Sequence, residues 1–305
     1  MKVIGIGETV FDIIFRNNQP DKAVPGGSTF NAMISLGRTL GRKGTECLMI
    51  SETGDDHIGQ IIVDFMKQNN VSPKFVTINE NTKSHISLAF LDENNDAQYE
   101  FYKDHAHADI PNHFPQVTKD DFVLFGSFFA INPVIRNMTK AFLSQAYEAG
   151  ATLYYDINFR KNHQKDLPLV KKNIEENYQF ASIVRGSCED FDFLYGTKDA
   201  NDIYHKHIKP FCDTFICTDG GNSIKVFTPS IECLEIPVKP INTISTIGAG
   251  DNFNAGFLYG MAKHGKDLNE VNLKRIIDTA QHFSQNVCQS IYNYVDEDFA
   301  NSLNE

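Results

Sequence analysis

The sequence lacks the features that mark several large classes of protein. No apolar run approaches the 18 residues of a membrane span, and Glu8 and Asp12 soon interrupt the apolar start, so neither a membrane helix nor a signal peptide is expected. The six cysteines form no CxxC pair, which is typical of buried, unpaired thiols in a reducing compartment. The expected location is therefore the cytoplasm. A Walker-type phosphate loop is also absent.

Basic residues are in the minority. Lysine and arginine number 28 against 39 acidic residues, which gives a formal net charge of −11. Because the phosphate backbone of nucleic acid binds to basic surfaces, we do not expect nucleic acid as the main partner. A small anionic ligand is compatible with this charge, since it needs only a few backbone N–H groups and local cations.

Short apolar runs alternate with amphipathic stretches along the 305 residues. This alternation predicts an α/β fold with a mainly parallel sheet, helices on both faces and a ligand site beyond the carboxyl ends of the strands. The predicted strands are KVIGIG, ECLMIS, FVLFG, TLYYDIN, ASIVRG and TFICTDG, and the predicted helices include residues 29–40, 58–69, 132–149, 167–178 and 250–264.

Two stretches break this alternation. ETVFDIIFR follows the first strand directly, and SHISLAFLDENNDAQYEFYK has the pattern of a hairpin with residues 93–96 as its turn. We predict a small sheet that stands off the main one as a lid, with strands at about 8–24 and 84–104. The alternative is an extra edge of the main sheet. Residues 1–305 are expected to form one domain.

The stretch TIGAGDNFNAGF predicts an anion site. Gly248, Ala249 and Gly250 form a turn of small residues at the start of a predicted helix, where backbone N–H groups and the helix dipole attract a phosphate. Asp251 follows in the first turn, within reach of a hydroxyl that attacks this phosphate, and a carboxylate suits the role of general base. The alternative is a plain helix start with an acidic first turn.

A second glycine-rich stretch, PGGSTFNAMISLGRTLG, lies near the start of the chain. Gly26 and Gly27 precede a predicted helix that contains Asn31, which indicates either a close approach to a ligand or a turn whose helix is capped by Ser28 or Thr29.

Two weaker patterns favour structure over function. GIGETV has Val10 where a dinucleotide fingerprint needs its third glycine, so an NAD-linked oxidoreductase is disfavoured. His105 and His107 have no third ligand in register and predict a solvated loop in preference to a metal site.

The two glycine-rich motifs, in this order on an α/β chain of about 300 residues, resemble the PfkB (ribokinase-like) family of carbohydrate kinases over the whole chain. DNFNAGF, FYK and DINFR lean toward the fructokinase branch. The resemblance implies a three-layer α/β/α body with a β-sheet lid, and transfer of the γ-phosphate of ATP to a sugar hydroxyl with Mg²⁺. It also implies a homodimer that forms through the lid strands.

The resemblance assigns roles by motif position. Asp251 matches the catalytic base, and Gly248, Ala249 and Gly250 match the anion hole. The implied sugar-binding residues are Asp12, Gly26, Gly27, Asn31, Lys103, Asn158 and Arg160. The implied nucleotide-binding residues are Ser187, Thr218, Gly220, Gly248 and Gly250, with Asp190 toward the metal.

The chain departs from the family pattern at three places. Ser187 and Asp190 replace the Asn and Glu that are tied to Mg²⁺ and phosphate, and Ser245 replaces an Asp linked to monovalent-cation binding. Lys103 stands where fructokinases often have Arg. The expected activity is that of an ATP-dependent sugar kinase with fructose as the first candidate acceptor. The alternatives are 2-keto-3-deoxygluconate, whose carboxylate Arg160 would grip, adenosine, or a binding regulator without turnover.

Overall fold

The structure is a computed structural model that describes residues 1–91, 97–104 and 114–303. A nine-stranded sheet forms its centre, and a separate four-stranded sheet stands beside it. The predicted α/β class and the lid are therefore confirmed, and the lid is not an edge of the main sheet. The predicted turn at 93–96 and the pair His105 and His107 lie outside the described residues.

The strands of the described chain divide between the two sheets. In chain order they are β1 (Lys2–Ile6), β2 (Val10–Arg16), β3 (Gln19–Gly26), β4 (Glu46–Gly54), β5 (Val71–Asn79), β6 (Ile86–Leu91), β7 (Ala97–Tyr102), β8 (Phe122–Gly126), β9 (Thr152–Asp156), β10 (Ile183–Ser187), β11 (Phe215–Asp219), β12 (Ser223–Thr228) and β13 (Ile231–Pro237).

The helices lie mostly between the strands of the main sheet. In chain order they are α1 (Ser28–Thr39), α2 (His57–Gln68), α3 (Ser127–Ile131), α4 (Arg136–Glu148), α5 (Leu167–Phe180), α6 (Cys188–Tyr195), α7 (Ala200–Ile203), α8 (Ala249–His264), α9 (Glu270–Cys288) and α10 (Glu297–Ser302). Short 3₁₀ turns cover Gly41–Lys43 and Lys161–Asp166, and a π turn covers Tyr204–Ile208.

The main sheet runs in the order β13-β12-β11-β10-β9-β8-β1-β4-β5. All of its neighbours pair in parallel except β11–β12 and β12–β13. Strand β1 shows why the layers form: Ile4 and Ile6 belong to the core on one face, and Val3 belongs to the core on the other. Apolar residues on both faces are typical of a parallel strand that helices cover on both sides.

The lid runs in the order β3-β2-β6-β7. Side chains alternate along β2, so Asp12 points to one face, while Phe11, Ile13 and Phe15 point to the other. Since Asp12 lines the cleft beneath the lid, the apolar face is the outer one. There Phe11, Ile13 and Phe15 pair with Ile86, Leu88 and Phe90 of β6.

The cysteines are all free thiols, as predicted. The prediction that they are all buried is wrong for Cys233, which is exposed on the edge strand β13, and for Cys288, which is half-buried at the end of α9. No helix in the described part of the chain is both long and apolar enough to cross a membrane.

Candidate active site

A cleft of about 1100 Å³ lies between the carboxyl ends of the parallel strands and the inner face of the lid. It brings together nearly all the residues that the sequence nominated. The predicted residues that line it are Asp12, Gly27, Asn31, Lys103, Asn158, Arg160, Ser187, Asp190, Thr218, Gly220, Gly248, Ala249, Gly250 and Asp251. Gly26 does not line the cleft but lies directly behind one of these residues.

The anion site is the N-terminus of α8. Gly248 precedes the helix with φ of 79°, in the left-handed region that favours glycine. A Cβ at Gly248 would also lie 2.8 Å from the backbone oxygen of Asn293. The first turn of a helix has N–H groups without intrahelical acceptors, and the helix dipole adds positive charge there. The geometry fits an incoming phosphate.

Asp251 is held by two hydrogen bonds from α1. Ser28 Oγ donates to Oδ1 at 2.6 Å and Asn31 Nδ2 donates to Oδ2 at 2.9 Å. Burial raises the pKa of Asp251, and these two hydrogen bonds oppose the rise. Ser28 therefore does not cap its helix, since the N-cap is Gly27 and no side chain caps the helix. The carboxylate is fixed in position and more basic than an exposed one, as a general base requires.

Asp12 enters the cleft from the lid, and Gly26 makes room for it. A Cβ at Gly26 would lie 2.0 Å from Asp12 Oδ2, so a larger residue at position 26 would displace the carboxylate. Burial raises the pKa of Asp12 to about 6, although Ser87 beside it and the charge of Arg160 lower it. Burial therefore destabilises the charged form of Asp12 until a polar ligand binds to it.

Arg160 reaches under the lid from the loop after β9. Its guanidinium carbon lies 5.0 Å from the centre of the Tyr99 ring on β7, and its charge lowers the pKa of Asp12. Asn158 in the same loop has φ of 37° and donates from Nδ2 to Ser127 Oγ at 3.0 Å. Ser127 is itself left-handed, with φ of 52°. Residues with a strained backbone thus follow two adjacent strands, β8 and β9, at the floor of the cleft. Such strain is often found at functional sites.

Lys103 does not stand free in the cleft. Its Nζ lies 2.7 and 2.8 Å from the two carboxylate oxygens of Glu8. His85 Nδ1 lies 2.8 Å from the same carboxylate. Burial opposes the charge of Glu8, but its partners His85 and Lys103 outweigh burial and hold its pKa at about 2. Glu8 was not nominated as a site residue from the sequence.

Arg185 lies beneath the anion site and was also missed. Its Nη1 lies 3.0 Å from Asp156 Oδ1, and its Nη2 donates to Thr218 Oγ1 at 2.8 Å. A Cβ at Gly250 would lie 3.1 Å from Nη1, so the absence of a side chain lets the helix start approach the guanidinium. The position of Arg185 within the strand ASIVRG gave no signal, because a cation inside an apolar strand has no motif.

Ser187 and Asp190 bond to each other at the start of α6. Ser187 N and Oγ donate to Asp190 Oδ2 at 2.7 and 2.8 Å, and Asp190 N donates back to Ser187 Oγ at 3.1 Å, which makes a capping box. Burial and the nearby Asp156 raise the pKa of Asp190 to about 6. One Asp190 oxygen is thus committed to the helix. In the described chain, no group of three His, Cys, Asp or Glu side chains is arranged to hold a metal ion.

The segment around Asn293 joins the anion site to the lid. Its backbone oxygen accepts a hydrogen bond from Asn252 Nδ2 at 2.8 Å, and its side chain lies 3.5 Å from Asp12 Oδ2. Lys22 of the lid donates to the oxygen of Ile291 at 2.9 Å. The two contacts with the lid join residues 281 and 269 positions apart in the sequence, so no local pattern predicted them.

Comparisons with known proteins agree with this geometry. The family model of the pfkB family carbohydrate kinases matches residues 2–294. Probable fructokinase-5 from Arabidopsis thaliana is 23% identical over 281 residues, which cover 88% of this chain and 85% of that protein.

Two solved structures share the fold. The crystal structure of aminoimidazole riboside kinase from Salmonella enterica, complexed with aminoimidazole riboside and an ATP analogue, matches with a TM-score of 0.83 at 20% identity and covers 100% of this chain and 99% of that one. Fructokinase from Vibrio cholerae O395, in its fructose-, ADP- and calcium-bound form, matches with a TM-score of 0.82 at 19% identity over the same shares. With the family match over nearly its whole length, the chain belongs to the pfkB family of carbohydrate kinases, phosphotransferases that act on a sugar hydroxyl.

Proposed function

We propose that this kinase uses ATP and that Asp251 is its catalytic base. The observation that carries the proposal is the position of one buried carboxylate, fixed by Ser28 and Asn31, in the first turn of the helix whose N-terminus faces the cleft. A base and an anion hole side by side suit in-line transfer of a phosphoryl group to a hydroxyl. The relative solved with an ATP analogue supports ATP as the donor.

In the proposed mechanism the acceptor lies under the lid. Asp12, Asn31 and Arg160 bind its hydroxyls, and the side-chain oxygen of Asn31 is buried without a partner in the described structure, so it is open to a hydroxyl donor. The reacting hydroxyl gives its proton to Asp251 as its oxygen bonds to the γ-phosphorus, and the bond between that phosphorus and the β,γ-bridging oxygen breaks, so that ADP leaves. The N–H groups of Gly248 and Gly250 stabilise the charge on the transferring group, and the N–H of Ala249, which donates to Thr246 O at 3.2 Å, would have to be shared with it.

The opposite end of the cleft is the proposed site for the nucleotide. Ser187, Thr218 and Gly220 line it, and Gly220 has φ of 48°, which lets the loop after β11 turn tightly. Arg185 lies between this loop and the anion hole, where its charge would favour the phosphates of ATP.

A magnesium ion fits this end if it keeps most of its ligands from water and phosphate. Glu189, Asp190 and Asp219 line it, as does Asp156, which is paired with Arg185, and Mg²⁺ commonly binds to proteins through one or two carboxylates. When bound, the ion would neutralise charge on the phosphate oxygens. Asp190 can offer it only the oxygen that the capping box does not use.

Fructose, giving fructose 6-phosphate, is the acceptor we propose first. The relationship to probable fructokinase-5 and the fructokinase-like motifs support it. Aminoimidazole riboside is a specific second candidate, because the kinase for that nucleoside shares the fold over the full chain. The 2-keto-3-deoxygluconate alternative depends on Arg160 alone.

The experiment is a coupled ADP-release screen with fructose, aminoimidazole riboside, 2-keto-3-deoxygluconate, ribose, tagatose and adenosine. We expect turnover with at least one uncharged acceptor and none without acceptor beyond background. A chain that binds ATP and sugar by calorimetry but releases no ADP with any of them would be a binding regulator, and the proposed function would be wrong.

We also propose a homodimer through the outer face of the lid. Phe11, Ile13 and Phe15 lie on this face opposite apolar residues of β6, and such a face is stabilised when a second copy covers it. We expect a dimer mass by light scattering at micromolar concentration, and a monomer for Ile13→Asp. A monomeric wild-type protein would contradict the proposal.

A further inference from the structure

The Glu8–Lys103 pair lies where the lid joins the body. Glu8 is in the loop between β1 and β2, and Lys103 follows β7 on the edge of the lid. Both side chains line the cleft with Phe101, whose ring centre is 4.9 Å from Lys103 Nζ. The ammonium group that faces the acceptor is thus already bound to a carboxylate of the protein itself.

The second cation at this end is also committed. Arg160 lies against the Tyr99 ring and beside Asp12, whose pKa it lowers. Among the described residues, the carboxylates Glu8, Asp12 and Asp251 line the same end of the cleft as the cations Lys103, Arg160 and Lys161. All three cations are exposed residues whose charge solvent screens, and Lys103 and Arg160 are in addition held against Glu8 and Tyr99.

Releasing Lys103 to a substrate would be costly. Only a quarter of the Glu8 side chain is exposed, so removing its ammonium partner would leave a largely desolvated carboxylate with His85 alone. Removing one side of a hydrogen-bonded charge pair is unfavourable for this reason, and solvent reduces the cost here because 32% of the Lys103 side chain and 25% of the Glu8 side chain are exposed. An acidic acceptor would therefore have to compete with Glu8 for the same cation.

We propose that Glu8, by neutralising Lys103, makes the acceptor site select uncharged polyols or nucleosides over sugar acids. This inference rests on the proposed function and deepens it: it disfavours 2-keto-3-deoxygluconate and makes Glu8 a specificity-determining residue. Carboxylates on the cleft wall bind to hydroxyls by accepting their hydrogens, but they repel a carboxylate of the substrate.

The choice of lysine at position 103 strengthens this selection. An ammonium group is a point donor, and here it approaches both oxygens of Glu8 at once. A guanidinium in its place would bind to Glu8 with one edge and keep further N–H donors for a substrate carboxylate. Lys103→Arg should therefore relax the selection without removing charge.

The experiment compares kcat/KM for fructose with that for 2-keto-3-deoxygluconate in the wild type, Glu8→Gln, Lys103→Arg and Asp21→Asn. Asp21 is the matched control, because it is a lid carboxylate paired with Arg16 at 3.6 Å that does not line the cleft. We expect the wild type to favour fructose by at least about tenfold. Glu8→Gln should shift the ratio toward the acid by roughly tenfold, because it removes a carboxylate that repels the carboxylate of the substrate. Lys103→Arg should shift it the same way, and Asp21→Asn should leave it unchanged.

Calorimetric titration of both acceptors, in the presence of a non-hydrolysable ATP analogue, separates this inference from the proposed function. If no acceptor is phosphorylated but fructose still binds better than the acid, and Glu8→Gln narrows the difference, the inference holds and the kinase activity does not. A wild type that prefers the acid overturns the inference. The inference is also overturned if Glu8→Gln and Lys103→Arg both fold and both keep the wild-type ratio of fructose to 2-keto-3-deoxygluconate in turnover and in binding.

Discussion

The two ends of the cleft are built in different ways. At the donor end, Gly248, Ala249 and Gly250 at the start of α8 line the cleft, and the buried guanidinium beneath them, Arg185, is fixed by Asp156 and Thr218. At the acceptor end, side chains from the lid and the body meet, and their carboxylates are half-buried. The donor end offers an anion the N–H groups of a helix start, whereas the acceptor end offers hydroxyls the carboxylates of Asp12 and Asp251.

In the proposed mechanism this difference keeps the two substrates apart. Phosphate is stabilised where the helix dipole and the guanidinium are, and an uncharged polyol is tolerated where desolvated carboxylates await hydrogen-bond donors. Asp251 stands at the border, in the helix that belongs to the donor end but bonded to Ser28 and Asn31 of the acceptor end.

Replacing Asp251, the residue at this border, should have the largest effect on kcat. Asp251→Asn keeps the size of the side chain and removes its basicity, so we expect kcat to fall by roughly 10²–10⁴-fold, the usual contribution of a general base. KM for the acceptor should change little, because the missing interaction is made mainly in the transition state. Steady-state kinetics measure both.

Calorimetry with an ATP analogue supplies the control for Asp251→Asn, since the N–H groups of the helix start are unchanged and nucleotide binding should persist. A variant that keeps more than about a tenth of the wild-type kcat, a loss smaller than even the low end of the range for a base, would show that Asp251 is only a helix-start residue.

Asp12→Asn tests the acceptor end alone. The raised pKa of about 6 means that the charged form is disfavoured in the folded, unliganded protein, since the ordinary pKa of an aspartate is 3.8. The cost is therefore fully present above pH 6, declines as the pH falls through 6, and is absent below 3.8. We expect Asp12→Asn to stabilise the unliganded protein by up to roughly 3 kcal/mol at about pH 7.5, since each pKa unit corresponds to about 1.4 kcal/mol.

Thermal or urea unfolding at about pH 7.5 and about pH 5, on either side of the raised pKa, checks this effect of Asp12→Asn. The gain should be smaller at the lower pH, and KM for the sugar should rise, because an amide accepts fewer hydroxyl hydrogens than a carboxylate. An equal gain at both pH values would show that the pKa of Asp12 is not raised, and an unchanged KM would show that it does not bind the acceptor.

The same contrast explains what the sequence could predict. A site made of backbone needs glycine at fixed spacing next to a helix start, so Gly248 to Gly250 and Asp251 stand out within one short stretch. Gly26 and Gly27 stand out for a related reason, since a Cβ at either would collide with Asp12 or with the backbone of Glu8. The buried parallel strands were equally visible as continuous apolar runs.

The parts that escaped prediction depend on distant residues or on weak patterns. Glu8 and Lys103 meet across 95 positions, and Arg185 meets Asp156 across 29, so their pairing follows from the order of strands in the sheets. The edge strands β5 and β13 were not predicted, because they are only partly buried and contain Pro73 or exposed polar residues such as Glu232.

Arg185→Lys should weaken the donor end while leaving the acceptor end intact. A lysine keeps the charge beside Asp156 but cannot also donate to Thr218. One of the two hydrogen bonds of Arg185 is therefore lost. We expect KM for ATP to rise by roughly tenfold, the equivalent of one hydrogen bond to a charged group at about 1.5 kcal/mol, and KM for the sugar to stay close to the wild-type value. A rise in KM for the sugar alone would mean that the two ends are not separate in the way we describe.

The smallest expected effect is that of potassium. The loop that leads into the anion site holds itself by its own hydrogen bonds: Ile244 N and Ser245 N donate to the oxygen of Cys288 at 2.8 and 3.2 Å, and Ile247 N donates to Ser245 Oγ at 3.2 Å. A bound cation needs several oxygen ligands, preferably with a carboxylate among them, and Ser245 brings no charge. We therefore expect kcat in sodium or Tris buffer to lie within about twofold of kcat in potassium, a difference below about 0.5 kcal/mol of barrier. Titration of potassium chloride against choline chloride at constant ionic strength measures this. Large, saturable stimulation would show that other oxygens replace the missing carboxylate, and that the donor end is shaped by a cation as well as by its own backbone.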